Sequence, residues 1–359
     1  MTPAQIRLVQ RRLGNQRLVR GTFRTPVEAV RWFGAVQAQD FSGAKWAVGQ
    51  RLADGTDQSM EQAFNAGRIL RTHVMRPTWH FVTPADIRWL LALTAPRVLA
   101  FSAYYFRKNG LDARTISKSR DAMERALAGG RHLTRSELGA AIRNAGIDHY
   151  GERLGNIVMH AELNAVICSG PRRGKQFTYA LLEERVPRTR AWDRDEALAE
   201  LTARYFTSHG PATGRDFSWW SGLTMRDVND GLDAVAASLE RETIAGLTYW
   251  FVPSRLVATP TPLVHLLPNY DECLIAYKDR GVVPGTPVPK GASRHGSFAH
   301  HLLIDGRLAG AWRRRIGTKH VEIDVLPYRP LTRAESRALD RTIDHHSRFM
   351  NAAVKLVTI

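Results

Sequence analysis

The sequence predicts an α+β chain of three tandem winged-helix units followed by a C-terminal β-barrel-like domain with a terminal helix. Three observations predict it. An order of helices followed by a hairpin recurs three times along the chain. Each recurrence closes on an aromatic pair at alternating positions, Trp79 with Phe81, Phe177 with Tyr179 and Tyr249 with Phe251, so both rings of a pair face one side of a strand. Beyond Pro262 the helical period gives way to short β-rich runs broken by turn residues. The four segments are 1–108, 109–190, 191–262 and 263–359, a division expected of a 359-residue chain that is long for one core.

The first unit opens on an amphipathic helix over Met1 to Gly14 that carries Arg7, Arg11 and Arg12 among isolated aliphatics. Thr25-Pro26 opens a helix to Gln39, Ser59 opens one to Ala66, and Ile69 to Val82 reads as a hairpin around Met75-Arg76-Pro77. The apolar run Trp89 to Ala95 stops at Pro96-Arg97. In the second unit Ser117 to Ala128 is a helix, and Thr134 with Glu137 has the spacing of a capping box that opens the next, closed by Gly146. Gly151 to Ala165 supplies a third helix, and Val166 to Tyr179 forms two strands around a basic loop. The third unit is the clearest: helices Glu196 to Ser208 and Gly214 to Trp220, the latter capped by Thr213, a turn at Ser221-Gly222-Leu223, and a third helix capped by Thr224. Thr243 to Val252, β-branched and aromatic around a glycine, makes its hairpin. After Pro260-Thr261-Pro262 come strands at Leu263 to Leu267, His301 to Ile304 and Val321 to Leu326, with turns at Pro284-Gly285-Thr286-Pro287 and Asp305-Gly306. A helix from Thr332 to Met350 ends the pattern.

Composition narrows the function. Lys plus Arg number 51 against 34 Asp plus Glu, a net charge of +17, which makes a polyanion the natural partner. No apolar stretch approaches the ~18 residues of a membrane span, and no signal-peptide pattern starts the chain, so a cytoplasmic protein without membrane contact is expected. Cys168 and Cys273 lie far apart and suit buried thiols better than a disulfide or thiolate metal site. His300-His301 and His345-His346 are adjacent pairs without the i, i+4 spacing of a helical zinc site. Neither metal nor cofactor is predicted.

Several strings share a pattern: Val36-Gln37-Ala38-Gln39-Asp40, Arg76-Pro77-Thr78-Trp79-His80, Trp219-Trp220-Ser221-Gly222-Leu223, Leu267-Pro268-Asn269-Tyr270-Asp271-Glu272 and Gly310-Ala311-Trp312-Arg313-Arg314. In this order and spacing they resemble the winged-helix DNA glycosylases typified by AlkZ and YcaQ, over nearly the whole chain. The resemblance implies three winged helices and a β-barrel arranged around a DNA channel, with a catalytic motif of Gln, an apolar residue, then Gln or Asp. That motif falls on Gln37, Ala38 and Gln39. The Gln-x-Gln form resembles the AlkZ branch, which implies duplex DNA carrying N7-alkylated purines, as bulky monoadducts or interstrand crosslinks, as the substrate.

Two amides suffice for that chemistry because an N7-alkylated purine is already cationic and leaves as a neutral base without a general acid. One amide oxygen orients the water and the other turns its negative end toward the developing sugar cation. On a helix running to Gln39, however, positions two apart face opposite sides, so both residues reach one ligand only if the helix ends before them. Asp40 is a nearby ionisable group, read as a turn residue. Among the DNA-binding candidates, Thr78 and His80 lie on the first hairpin, and Arg172, Arg173 and Lys175 form a cationic second wing suited to phosphates. Trp312 beside Arg313, Arg314 and Arg315 offers a stacking or intercalating ring with a phosphate grip. Asp271-Glu272, read as neighbours on a strand, point to opposite faces and suit an anchor rather than acid-base chemistry. A monomer is sufficient for these units. The rival reading is a non-catalytic winged-helix DNA-binding protein of transcriptional or architectural use; an RNA-binding scaffold fits the charge alone.

Overall fold

The structure, a computed structural model, describes residues 1–148, 150–254, 261–279, 285–288, 300–317 and 320–358. It is a mixed α+β fold in which most helix starts are set by a local side-chain cap. Helix α1 (Pro3–Asn15) begins at a Thr2–Gln5 capping box. Helix α2 (Pro26–Phe33), capped by Thr25, ends at Gly34, whose φ of +80° only glycine adopts without strain. The chain then runs extended as β1 (Val36–Gln37) instead of staying helical to Gln39. Asp40 caps α3 (Phe41–Gly49), and Thr56 caps α4 (Asp57–Asn65) with Ser59 as the third residue of its box. Strands β2 (Leu70–Val74) and β3 (Arg76–Val82) form the expected hairpin, with Met75 at φ +63° in its turn. They complete an antiparallel sheet of order β1-β3-β2.

Helix α5 (Ile87–Lys108) continues through Pro96, the residue at which the apolar run Trp89 to Ala95 stops. Proline removes one N–H, and the carbonyl four residues back at Ala92 is left without its donor. Both Ala92 and Pro96 are exposed, so water satisfies that carbonyl and the buried face of the helix is intact. Next come α6 (Ala113–Leu127), β4 (Leu133–Thr134), α7 (Arg135–Asn144), which opens on the predicted Thr134–Glu137 box, α8 (Arg153–Leu163), β5 (Ile167–Ser169), β6 (Thr178–Leu181) and the short α9 (Leu182–Arg185). Helices α10 (Arg194–Ser208), α11 (Gly214–Ser221) and α12 (Met225–Val235) then precede hairpin β7 (Glu240–Ile244) and β8 (Leu247–Phe251). Its two-residue turn, Ala245 and Gly246 at φ +51° and +77°, has the signs of a type I′ turn.

The C-terminal part contains β9 (Val264–Leu267), α13 (Glu272–Ile275), β10 (His300–Ile304), β11 (Arg307–Ile316), β12 (His320–Pro327), α14 (Arg333–Met350) and β13 (Ala353–Thr358). Its sheet has the order β13-β12-β11-β10-β9, a half-barrel with β9 and β13 as edges among the described residues. Strand β13, which the sequence pattern missed, pairs in parallel with β12. Pro260 and Pro284, expected at a linker and a turn, lie outside the described residues. This sheet does not stand apart from the first unit: Trp312, Ile323, Ala338 and Phe349 share one buried cluster with Phe33, Trp46, Phe64 and Phe81. The Trp46 indole N–H donates to the Leu266 carbonyl at 2.7 Å across that junction. No described helix is long and apolar enough to cross a membrane.

Candidate active site

Because α2 stops at Gly34, Gln37 and Gln39 follow it on non-helical backbone, with Gln37 the last residue of β1. That removes the helical objection to their sharing a ligand, although Gln39 sits in a bend beyond the strand rather than on an extended run. Gln37 pairs in register with His80 of β3, and His80 with Thr72 of β2, so the three form one row across the sheet.

The Gln37 backbone N–H donates to Glu272 Oε1 at 2.8 Å, and Glu272 Oε2 accepts the Trp220 indole N–H at 2.8 Å. His209 Nε2 lies 3.4 Å from that second oxygen; burial lowers the pKa of His209 although Glu272 pulls the other way. Both oxygens of Glu272 are thus engaged inside the protein. Its neighbour Asp271 caps α13 and meets both terminal nitrogens of the buried Arg51 at 2.8 Å each. The two carboxylates are anchors, as expected, but they sit at a helix start rather than on a strand.

The Gln37 side chain is treated differently. Its Oε1 is buried and has no hydrogen-bond partner among the described residues, a state that costs about 1–3 kcal/mol for an amide acceptor. Gln37 lines a cleft of about 530 Å³, with Arg76, Pro77 and Thr78 of β3 and with residues of α5 and α11. None of the described lining residues is a carboxylate. Gln39 is exposed, and its Oε1 accepts the Trp79 backbone N–H at 3.4 Å where β1 has left the ladder. Gly222, left-handed at φ +73°, closes α11 directly on the hairpin turn; a Cβ there would stand 2.2 Å from the Met75 carbonyl oxygen.

The other predicted residues divide. Thr78 lines the cleft and its hydroxyl has no partner among the described residues. His80 does not reach a phosphate: it is fully buried, and its Nδ1 bonds the Thr78 carbonyl at 2.9 Å. Burial, reinforced by Arg76, lowers its pKa well below the usual value and keeps it neutral. Trp312 is not a stacking ring, because β11 turns it inward to full burial, with its indole N–H on the Leu267 carbonyl at 2.8 Å. The following arginines alternate as a strand requires: Arg313 and Arg315 both meet Asp324, and Arg314 bonds the Ser42 hydroxyl at 2.9 Å on the opposite face. Arg172 is committed internally, to Glu61 at 3.0 Å and over the rings of Phe41 and Phe177. Arg173 pairs with Glu137 at 2.7 Å yet stays exposed, as does Lys175. Asp40 caps α3 through the Gly43 N–H at 3.0 Å.

Arg76 was not singled out from the sequence as a functional residue. Its Nε and Nη2 are buried without hydrogen-bond partners among the described residues, and it lines the cleft with Gln37. Burial lowers its pKa, with Glu272 opposing. Its only sequence signal was membership of the string Arg76 to His80.

A model of the family described as DNA glycosylase AlkZ-like matches residues 30–349. An interstrand DNA cross-link repair glycosylase of Streptomyces sahachiroi is 26% identical over 338 residues, 87% of this chain and 87% of that one. The solved structure of the Streptomyces sahachiroi DNA glycosylase AlkZ superposes with a TM-score of 0.78 at 22% identity, over 99% of this chain and 100% of that chain. The last comparison shows a shared fold.

Proposed function

The chain belongs to the AlkZ-like family of DNA glycosylases, and from that premise we propose that it is a monofunctional enzyme hydrolysing the N-glycosidic bond of N7-alkylated purines in duplex DNA. Its substrates are bulky monoadducts or interstrand crosslinks, its helix-and-hairpin units are winged helices that hold the duplex, and it acts as a monomer in the cytoplasm. The similarity to a cross-link repair glycosylase supports the substrate reading. The observation that carries the catalytic reading is Gln37, a lining residue of a cationic cleft whose Oε1 is buried and has no hydrogen-bond partner among the described residues.

An N7-alkylated purine brings its own positive charge, so the bond breaks with the base leaving neutral, and no acid is required. The absence of a carboxylate among the described cleft residues suits that substrate. Positive charge then develops on the sugar, and the Gln37 amide oxygen offers its negative end without breaking any existing hydrogen bond, a preorganised electrostatic contribution. Glu272 and Trp220 act behind it, holding its backbone in place. Gln39, steadied by the Trp79 N–H, orients the attacking water. Arg173, Lys175 and Arg315 keep exposed charge for the duplex backbone.

The test is release of free base from duplex DNA carrying N7-methylguanine or an N7-linked crosslink, comparing wild type with Gln37→Ala/Gln39→Ala at matched DNA affinity. Release by the wild type alone establishes the reaction and its motif. No release from either, with salt-sensitive binding intact, returns the chain to a non-catalytic DNA binder. Lys278 is the one lysine among the described cleft residues; a monofunctional enzyme forms no borohydride-trapped adduct through it and leaves the strand uncut.

A further inference from the structure

Two helices present the same couple to the cleft beside Gln37. Helix α5 carries Arg97 and Phe101, and α11 carries Arg215 and Trp219, each an arginine with a ring four residues later, and all four line the cleft. Residues i and i+4 of a helix are neighbours on one face, so each couple sets a cation beside a ring. Both rings are unusually bare for their size, Phe101 at 69% and Trp219 at 48% exposed. Trp219 is nevertheless held in place, because its indole N–H donates to the Ile275 carbonyl at 3.1 Å. Neither Arg97 nor Arg215 has a hydrogen-bond or ion-pair partner among the described residues, and both are exposed. In the same cleft, Arg76 has Nε and Nη2, the two donors on one edge of its guanidinium, buried and without acceptors among the described residues. That edge matches a group offering two oxygens side by side.

We propose that these couples form a clamp for damaged DNA, in which Arg76, Arg97 and Arg215 take backbone phosphates and Phe101 and Trp219 stack on a planar aromatic ring beside the scissile bond. The clamp rests on the glycosylase reading for its position next to the reacting sugar, but its binding chemistry stands on the cleft itself. A phosphodiester supplies the two oxygens that Arg76 lacks. A ring between phosphates supplies a partner for an indole face whose edge is already fixed. Nucleic acid carries both groups at alternating positions, and cationic grooves with interleaved aromatics bind it in this way. The ring is either a base displaced from the stack or a planar substituent on the adduct, and the experiment separates them.

Affinity for an undamaged duplex is measured by fluorescence anisotropy across a salt series, and single-turnover base release is measured on two substrates: N7-methylguanine, which has no added ring, and an N7 adduct bearing a planar polycyclic group. Arg97→Ala/Arg215→Ala lowers the slope of log affinity against log salt by about 2, and Arg97→Lys/Arg215→Lys restores it. Phe101→Ala/Trp219→Ala leaves that slope unchanged and slows release about ten-fold, the scale of one lost stacking contact. Slowing on both substrates assigns the ring to a displaced base; slowing on the polycyclic adduct alone assigns it to the adduct. Wild-type slope in the arginine variant together with wild-type release in the aromatic variant overturns the clamp. If the wild type releases no base but the arginine variants shift the slope as stated, the glycosylase reading fails and the phosphate grip survives. If the slope is unmoved while the wild type releases base, the reverse holds.

Discussion

Gln37→Met separates a catalytic amide from a structural one. The Oε1 of Gln37 is buried without a partner, and such an acceptor costs about 1–3 kcal/mol relative to one that is satisfied. Methionine is unbranched and of similar length, fills the same space, and carries no amide to desolvate. No side-chain hydrogen bond of the Oε1 is lost, and the backbone bond to Glu272 is retained because it uses the main-chain N–H. Stability is therefore expected to be unchanged or raised by about 1 kcal/mol, roughly 1–2 °C in melting midpoint for a chain of this size. Catalysis moves the other way: deleting one preorganised polar group at a developing charge costs about 10²–10³ in rate. The assays are thermal unfolding followed by circular dichroism, and single-turnover base release at saturating enzyme with DNA affinity measured alongside. A variant that loses more than about 1 kcal/mol while releasing base at the wild-type rate would refute the reasoning, because Oε1 would then be holding the fold rather than waiting for substrate.

Glu272→Gln leaves one oxygen for two donors, the Gln37 N–H and the Trp220 indole; a loss of about 2–3 kcal/mol is expected in chemical denaturation, with slower base release and unchanged affinity for undamaged duplex. Acid destabilises the fold: burial, then the nearby Arg314, lowers His346 to about 3 and His300 to about 4, His346 having His345 and His300 as further cationic neighbours and His300 having His301, with Asp40 opposing. These folded values lie below the unfolded ~6.5, so the unfolded chain takes up protons first, and stability present above pH 6.5 falls as pH drops toward 4. For the fully buried His346 the loss is on the order of 3 kcal/mol by pH 4, and His346→Leu flattens a stability–pH series over that window. Gly222→Ala meets the Met75 carbonyl and a positive φ; a cost of about 2 kcal/mol or more and impaired base release are expected. Gly110→Ala, with positive φ and open space, costs only about 1 kcal/mol of strain in the same unfolding assay.

Helix starts were legible because their causes lie within four residues. The boxes at Thr134, Thr213, Thr224 and Thr332 each satisfy backbone donors with a side chain three positions on. The turn at Asp305-Gly306 was equally local, since an Asp-Gly pair favours the positive φ values it adopts, whereas in the turn at Ala245-Gly246 only Gly246 does and Ala245 takes φ +51° against its type. The Gln-x-Gln pair was legible as a motif, but its geometry was not. Whether α2 reaches Gln39 depends on Gly34 ending it and on β3, some forty residues on, pairing with Val36 and Gln37. Strand β13 was invisible for the same reason, because its only ladder is with β12. Pro96 ends the apolar run without ending α5, because the carbonyl that loses its donor belongs to the exposed Ala92.

The sequence by itself determined the order of elements, the excess of positive charge and the presence of two amides at a spacing that an extended chain places on one face. Only the tertiary structure decided which charges remain available. Arg172 and Arg313 looked in sequence like free phosphate ligands and are held by Glu61 and Asp324, whereas Arg76, Arg97 and Arg215, on three different elements, meet at one cleft with no acid among its described lining residues. Local pattern follows from interactions within a few residues, but whether a cation is neutralised depends on which carboxylate the folded chain brings within ~4 Å of it.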